Sequence, residues 1–135
     1  PAASFGLCYP LNGIQRYVQR LGVNTAKRLL IAAETLDAEA LLSVGYLTHM
    51  VSPDELTQTA QQMADAISRL APLAVSAMKK ICDQVAEGVL CAQEAQVLIH
   101  QCNASDDLAE GLKSVQENRE PMFTGVRCPT LDGNI

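Results

Sequence analysis

Residues 52–70, Ser-Pro-Asp-Glu-Leu-Thr-Gln-Thr-Ala-Gln-Gln-Met-Ala-Asp-Ala-Ile-Ser-Arg-Leu, decide the fold class that the sequence predicts. Ser52 is placed to cap a helix, Pro53 occupies the first helical position, and Glu55 completes a capping box. Apolar residues then recur at alternating spacings of four and three, at Leu56, Ala60, Met63, Ile67 and Leu70. This single stripe predicts an amphipathic helix that turns one face to a core or to a neighbouring chain.

Two further amphipathic helices are predicted directly downstream. Pro72 opens the first of them, and Gly88 ends it. Their apolar stripes are Ala74, Met78, Ile81 and Val85 in the first helix and Cys91, Ala95, Leu98 and Cys102 in the second.

A fourth helix is predicted after Ser105, which is its expected cap, and Pro121 stops the pattern. Asp106 and Asp107 follow the cap, where negative charge favours the positive end of a helix, and we expect both to be solvated. The residues expected to face inward are Leu108, Leu112 and Val115.

The residues upstream of Ser52 predict shorter helices. Residues 14–21 form one that Gly22 ends, and another begins at Asn24 or Thr25. Asp37 is expected to cap a third helix over residues 38–44.

Residues 46–51, Tyr-Leu-Thr-His-Met-Val, form the only predicted strand. Because a single strand cannot form a sheet, it must pair with a segment outside this sequence or with another chain, or the strand is misassigned.

The composition excludes several classes of protein. A chain of 135 residues is one domain or a piece of one, and 48% hydrophobic against 19% charged residues argues against disorder. No apolar run approaches the roughly 20 residues that cross a bilayer, and the N-terminus lacks the basic region of a secretory signal. A net charge of −5 without an obvious basic face argues against a nucleic-acid partner. Few aromatic residues and abundant Ala and Leu argue against an all-β sandwich.

The cysteines and histidines give no catalytic or metal-binding pattern. Five cysteines, an odd number without a CxxC pair, predict free thiols in a reducing, cytoplasmic compartment. Cys8 is more simply a buried, inert thiol than a nucleophile, and His49 and His100 are packing or surface residues rather than metal ligands. No nucleophile elbow or phosphate-binding loop is present. Residue chemistry alone therefore predicts a mostly helical module that forms oligomers.

The order of short motifs adds a resemblance. The N-terminal motifs are Phe5-Gly6-Leu7, Pro10-Leu11-Asn12-Gly13-Ile14-Gln15-Arg16 and Arg20-Leu21-Gly22. The central motifs are Ala26-Lys27-Arg28-Leu29-Leu30, Leu36-Asp37-Ala38-Glu39-Ala40 and residues 45–51. The closing motifs are Ala71-Pro72-Leu73-Ala74, Ser105-Asp106-Asp107 and Arg119-Glu120-Pro121-Met122-Phe123. In this order and spacing, the chain over residues 1–125 resembles the crotonase superfamily of enoyl-CoA hydratases and isomerases.

The resemblance implies a mainly α chain that forms the C-terminal part of a crotonase-like (ClpP/crotonase) α/β fold. It implies about seven helices and at most one or two short strands. Residues 1–52 would end the crotonase core, residues 53–125 would form a helical oligomerisation domain, and residues 126–135 would be a tail. A start at Pro1 fits either simple removal of Met or a fragment whose first half lies upstream.

The resemblance also implies an acyl-CoA thioester as substrate, with no further cofactor and no metal. Backbone N–H groups of the family stabilise the thioester enolate, and one or two glutamates move protons. Its members are usually trimers or dimers of trimers, so the expected partners are the acyl-CoA and further copies of the chain, with no nucleic acid and no membrane. The acyl-CoA pocket residues implied here are Phe5, Leu7, Asn12 and Gly13.

This sequence departs from the family pattern at its catalytic positions. The oxyanion-hole groups and the first glutamate belong to the part of the pattern before residue 1, and Ala2 stands where hydratases carry the second glutamate. No catalytic residue is therefore assigned within this chain. Glu120 stands near the position at which many members of the family carry a lysine close to the CoA phosphates. Two hypotheses follow: a C-terminal fragment of an acyl-CoA enzyme that is inactive alone, or a non-catalytic self-association module or pseudo-enzyme domain.

Overall fold

The computed structural model describes residues 2–126, which form six α-helices and two short 3₁₀ helices. The 3₁₀ helices cover Ala2–Phe5 and Pro53–Glu55. The α-helices are α1 (Leu11–Leu30), α2 (Ala38–Ser43), α3 (Leu56–Ser68), α4 (Pro72–Glu87), α5 (Ala92–Asn103) and α6 (Asp106–Gln116). No strand occurs within residues 2–126, so the expectation of a mainly α chain is confirmed. Of the predicted tail, only Val126 belongs to the described residues.

The predicted strand over residues 46–51 is wrong. The chain after α2 turns at Gly45, whose φ is +75°, and the backbone N–H groups of Tyr46 and Leu47 donate to the carbonyl of Leu41 at 2.9 and 3.3 Å. These donors close the end of α2, which leaves them unavailable to a β-ladder. The rest of the segment finds no ladder partner among the described residues, and a strand exists only through such a partner.

The chain divides into two compact units, the first ending at Leu56 and the second beginning at Thr57. In the first unit, α1 is broken at Gly22, which has φ 75° and ψ 160°. Because only glycine readily adopts this conformation, the break coincides with the predicted end of the first helix. Residues 11–21 and 23–30 are thus two helical segments joined at one glycine.

Side-chain caps in the first unit match their predictions. The Asp37 carboxylate accepts a hydrogen bond from the backbone N–H of Ala40 at 2.8 Å and so caps α2. The Glu55 carboxylate accepts from the backbone N–H of Ser52 at 3.2 Å and from its hydroxyl at 2.6 Å. These two hydrogen bonds lower the pKa of Glu55, because they stabilise its charged form. The capping box read from the sequence is present.

The second unit contains α4, α5 and α6 packed in chain order, with α4 against α5 and α5 against α6. Its buried apolar positions are small, at Ala77 and Ala95. Gly88 ends α4 in the left-handed conformation, as predicted.

The inward orientation predicted for the apolar residues of α6 is wrong. Leu112 is 61% and Val115 is 79% exposed, and Leu108 is exposed as well. The buried residues of this helix are instead Asp107 and Ser114. The stripe on α3 is also exposed, since no residue of α3 is buried. The amphipathic pattern correctly predicted these helices, but their apolar faces have no cover among the described residues.

Residues 119–126, called here the strap, return along α6 and are held by two of its carboxylates. Asp107 accepts hydrogen bonds from the backbone N–H groups of Thr124 at 2.8 Å and Gly125 at 3.0 Å. Asp107 is only 3% exposed, so the expectation that it is solvated is wrong. Its two oxygens satisfy backbone donors seventeen and eighteen positions away, a pairing that helix position alone does not reveal.

Candidate functional site

The first unit contains an open cleft of about 850 Å³. A volume of this size falls within the roughly 300–1,000 Å³ range of small-molecule sites. The described residues that line it are Gly13, Arg16, Tyr17, Arg20, Leu21, Leu29, Leu41, Gly45 and Tyr46.

The period of an α-helix places one wall of the cleft. Gly13, Arg16, Tyr17 and Arg20 recur at spacings of three, one and three, so they share a face of the first segment of α1. The break at Gly22 allows the second segment to present Leu29 to the same space. The other lining residues, Leu41, Gly45 and Tyr46, come from α2 and the turn that follows it.

The cleft carries positive charge without a carboxylate in its described lining. Arg16 and Arg20 are exposed, and neither forms an ion pair with a described residue, whereas Arg28 outside the cleft pairs with Glu34 at 2.8 Å. Tyr17 is positioned by an edge-to-face contact with Tyr9, with ring centroids 6.0 Å apart. The lining therefore combines guanidinium and phenol donors with leucine side chains.

The structure brings only one of the four predicted pocket residues to this cleft. Gly13 lines it, and its backbone N–H is held by the side-chain oxygen of Asn12 at 2.8 Å. Phe5 is 81% and Leu7 is 60% exposed, and neither these two nor Asn12 is among the lining residues. A role for these four residues in acyl-CoA binding stays a prediction.

The residues weighed as catalytic or metal-binding candidates do not meet one another. Ala2 is buried, and its carbonyl accepts a hydrogen bond from the backbone N–H of Leu7 at 3.0 Å. Cys8 is a free thiol but it is exposed, so its expected burial is wrong, because it lies in the irregular segment between the first 3₁₀ helix and α1. Neither His49 nor His100 lines the cleft. Within residues 2–126, no group of three or more His, Cys, Asp or Glu side chains is arranged to hold a metal ion. None of the helices in the described part of the chain combines the length and apolarity needed to span a bilayer.

The residues that give the cleft its charge were missed by the sequence analysis. Neither Arg16 nor Arg20 was among the predicted pocket residues, and no role in ligand binding was predicted for Tyr17 or Tyr46. The sequence could have predicted that Arg16 and Arg20 share a helix face, because they are four positions apart. What the sequence did not show is the second wall, which requires the break at Gly22 and the turn at Gly45.

Comparison with known proteins identifies the family. The family model described as enoyl-CoA hydratase/isomerase matches residues 1–126. The chain belongs to this family. Solved structures that it resembles include members of this family, so the expected crotonase fold is confirmed for this mainly α part.

Two bacterial relatives illustrate the similarity in sequence. The chain is 32% identical over 126 residues to the methylmalonyl-CoA decarboxylase of Escherichia coli, and this alignment covers 90% of this chain and 48% of that protein. It is 28% identical over 128 residues to the 2,3-dehydroadipyl-CoA hydratase of the same organism, and this alignment covers 93% of this chain and 50% of that protein.

Two solved structures illustrate the similarity in fold. A probable enoyl-CoA hydratase/isomerase from Mycobacterium abscessus superposes with a TM-score of 0.70 at 26% identity, over 92% of this chain and 49% of that one. An enoyl-CoA hydratase from Mycobacterium marinum gives a TM-score of 0.73 at 25% identity, over 93% and 51% of the two chains. The chain thus spans about half the length of the relatives and structures that it matches.

Proposed function

We propose that this chain is the C-terminal half of an acyl-CoA enzyme of the hydratase/isomerase type. The observation that carries the proposal is the match across residues 1–126 to a family whose relatives here are named for CoA thioesters, combined with coverage of about half of each relative. The substrate is an acyl-CoA thioester, and no further cofactor takes part. The protein works in the cytoplasm, a setting that suits the four free thiols of the described residues.

The proposed chemistry needs groups that the described lining of the cleft does not supply. Hydration of an enoyl thioester adds water across the double bond, so a carboxylate must move a proton between water and the acyl chain. No Asp or Glu belongs to the described lining of the cleft, and the Ala2 methyl group cannot accept a proton. We therefore expect the 135-residue chain alone to show no catalytic turnover.

Crotonyl-CoA hydration tests this proposal. The 135-residue chain should give no saturable conversion, whereas the protein in its full natural length should bind butyryl-CoA in a calorimetric titration. Saturable conversion by the chain alone contradicts its predicted inactivity. Failure of the full-length protein to bind any acyl-CoA contradicts the proposed function itself.

A pair of substitutions tests the role of position 2. If Ala2 occupies the position of a family glutamate, Ala2→Glu in the full-length protein should raise the rate of crotonyl-CoA hydration. Ala2→Gln is the matched control, because its amide has nearly the same shape but does not exchange protons in this way. Since Ala2 is buried, thermal unfolding of both variants must first show that they fold. Equal rates for the two variants contradict the assignment.

One observation favours a second function, a non-catalytic self-association module. The apolar faces of α3 and α6 are exposed in the isolated chain, and such patches are typical of subunit interfaces. A trimer or hexamer is the assembly expected from the family. In sedimentation velocity, Ile67→Lys and Leu112→Lys should each lower the assembly state, whereas Gln62→Lys on the same helix as Ile67 should not. A strictly monomeric protein at micromolar concentration contradicts this function.

A further inference from the structure

Helix α4 has a second apolar face that its packing against α5 leaves uncovered. Its first face meets α5, since Ala77 is buried and Nζ of Lys80 lies 3.6 Å from a carboxylate oxygen of Glu94 on α5. The second face, called here the α4 seam, consists of Val75, Met78, Cys82 and Val85. Met78 and Val85 are each 58% exposed, and no described element covers them.

The spacing of the α4 seam is typical of a helix that pairs with another helix. Its four residues follow one another at intervals of three, four and three, which is the narrow stripe of a coiled coil rather than the wider face of a helix on a core. The α4 seam is also symmetric about position 80, since Val75 and Val85 lie five positions to either side and Met78 and Cys82 lie two. A two-fold contact between identical chains requires such self-matching. An antiparallel pair of α4 helices therefore places Val75 opposite Val85, and Met78 opposite Cys82, of the other copy.

The charges beside the α4 seam favour an antiparallel pair over a parallel one. Lys79 flanks the seam and Asp83 follows one turn later, with Nζ of Lys79 2.7 Å from Oδ2 of Asp83. In the antiparallel pair, each Lys79 lies beside Asp83 of the other copy, so the four charges alternate in sign. In a parallel pair, the two lysines would face each other, and so would the two aspartates. The order Lys then Asp is also the less favourable one within a single helix, because it opposes the helix dipole.

We propose that the α4 seam binds the α4 seam of a second copy of this chain, with the two helices antiparallel. The proposal does not depend on acyl-CoA chemistry, and its surface is separate from the apolar faces of α3 and α6. From Val75 to Val85 the helix advances about 15 Å, so the contact is smaller than a standard protein interface. We therefore expect a weak association that rises with protein concentration through the high micromolar range.

Oxidative cross-linking tests the orientation of the two helices. Met78→Cys introduces a thiol opposite the native Cys82 of the other copy. After oxidation of the full-length protein with copper phenanthroline, peptide mapping of the covalent dimer should find position 78 joined to position 82. Ser76→Cys is the matched control, because Ser76 is exposed on the side of α4 away from the seam and should give no link to position 82. A covalent dimer joined only between like positions overturns the antiparallel contact. A protein that assembles through α3 and α6 but gives no link within the seam overturns the α4 contact alone.

Lysine substitutions in the α4 seam test the apolar contact. In sedimentation velocity of the full-length protein, Met78→Lys and Val85→Lys should each weaken association at least about ten-fold, because each places an ammonium group in an apolar contact. Ser76→Lys should leave association unchanged. Seam variants that associate as strongly as the wild type overturn the proposal. A wild type that stays monomeric at high micromolar concentration also overturns it, and leaves the seam to a different partner.

Exchange of the two charges provides the decisive comparison. Lys79→Glu and Asp83→Lys should each self-associate about ten-fold more weakly than the wild type, since like charges then meet across the contact. An equal mixture of the two variants should recover most of the wild-type association, because the new carboxylate of one lies beside the new ammonium group of the other. Loss of the ion pair within each helix cannot explain this recovery, since every chain in the mixture still lacks that pair. A mixture that associates no more strongly than the single variants overturns the proposal.

Discussion

The Glu110 carboxylate and the Arg119 guanidinium form a two-pronged ion pair that fastens the strap to α6. One prong joins Nη2 of Arg119 to Oε2 of Glu110 at 2.8 Å, and the other joins Nη1 to Oε1. The backbone N–H of Met122 also donates to Glu110 at 2.8 Å. The hydrogen bonds that Glu110 accepts from Arg119 and then from Met122 lower the pKa of Glu110 to about 2. The hydrogen bonds that Arg119 donates to Glu110 and Glu117 raise the pKa of Arg119.

The first prediction concerns pH. Because the pKa of Glu110 is lower in the folded state than its ordinary 4.5, the ion pair stabilises the fold fully above pH 4.5 and loses this effect as pH falls toward 2. At neutral pH, the midpoint of thermal unfolding should therefore be higher for the wild type than for Glu110→Gln. The difference between their midpoints should shrink between pH 4.5 and pH 2.

The control for this prediction is Glu120→Gln, because the Glu120 side chain makes no hydrogen bond or ion pair with a described residue. Its midpoint should follow the wild type across the whole pH range. A gap between wild type and Glu110→Gln that stays constant down to pH 2 would show that the ion pair does not titrate as described.

The second prediction concerns Asp107. In Asp107→Asn, one oxygen can still accept from Thr124, but the amide N–H₂ faces the N–H of Gly125 and leaves that donor unpaired. Loss of one hydrogen bond at a buried group should lower the free energy of unfolding by about 1–3 kcal/mol in urea titrations. Amide exchange at Thr124 and Gly125 should accelerate. The neighbouring Asp106→Asn is the control, because Asp106 is exposed and loses only a favourable charge at the start of α6, so it should change both quantities much less. Equal effects of the two substitutions would contradict this role.

The third prediction concerns Gly125. Its φ is +70°, and a Cβ atom added there would come within 2.8 Å of Cγ of Pro72, at the start of α4. Gly125→Ala should therefore add a steric overlap to the strain of a left-handed alanine and destabilise by about 2–4 kcal/mol. Gly88 has the same φ of +70° with open space around it, so Gly88→Ala should lose only about 1–2 kcal/mol. Equal losses of unfolding free energy in the two variants, measured by thermal or urea unfolding, would show that Pro72 shifts to accommodate the added Cβ atom at no cost.

The fourth prediction concerns the break in α1. Gly22 adopts φ 75° and ψ 160°, a conformation that is strained for alanine by about 1–3 kcal/mol. Gly22→Ala should therefore lower the unfolding midpoint. Gly111→Ala should instead raise the midpoint, because Gly111 lies in a helix where the added methyl group meets only Phe123 at 3.6 Å. A stabilised Gly22→Ala would contradict the need for glycine at the break.

Local rules predicted much of the helical structure. Asp37 caps α2, Ser52 and Glu55 form a capping box, Pro72 opens α4, and Gly88 ends it, because each of these signals acts within one or two turns of backbone. The order of motifs also identified the family. These features depend on residues that are close together in the sequence, so one sequence is enough to predict them.

Features that depend on distant partners were not predicted. Asp107 looked like a solvated helix end, because its partners at Thr124 and Gly125 lie far along the chain. The apolar stripe ending at Val115 indicated burial, but periodicity shows only which residues share a face and not whether another element covers it. The cleft was missed for the same reason, since Arg16 and Tyr46 line one cleft although they lie thirty positions apart, with glycine turns at Gly22 and Gly45 between them.

The small size of the buried apolar side chains has a calorimetric consequence. The described core consists of alanines, at Ala2, Ala26, Ala77 and Ala95, and no large side chain is fully buried. The heat capacity of unfolding scales with the apolar surface that becomes hydrated, and alanine exposes little of it. The isolated chain should therefore unfold with a heat-capacity increment well below the typical ~12–15 cal/mol/K per residue, giving a flat stability curve against temperature. Assembly with other copies would bury the leucine, isoleucine and valine faces and steepen that curve.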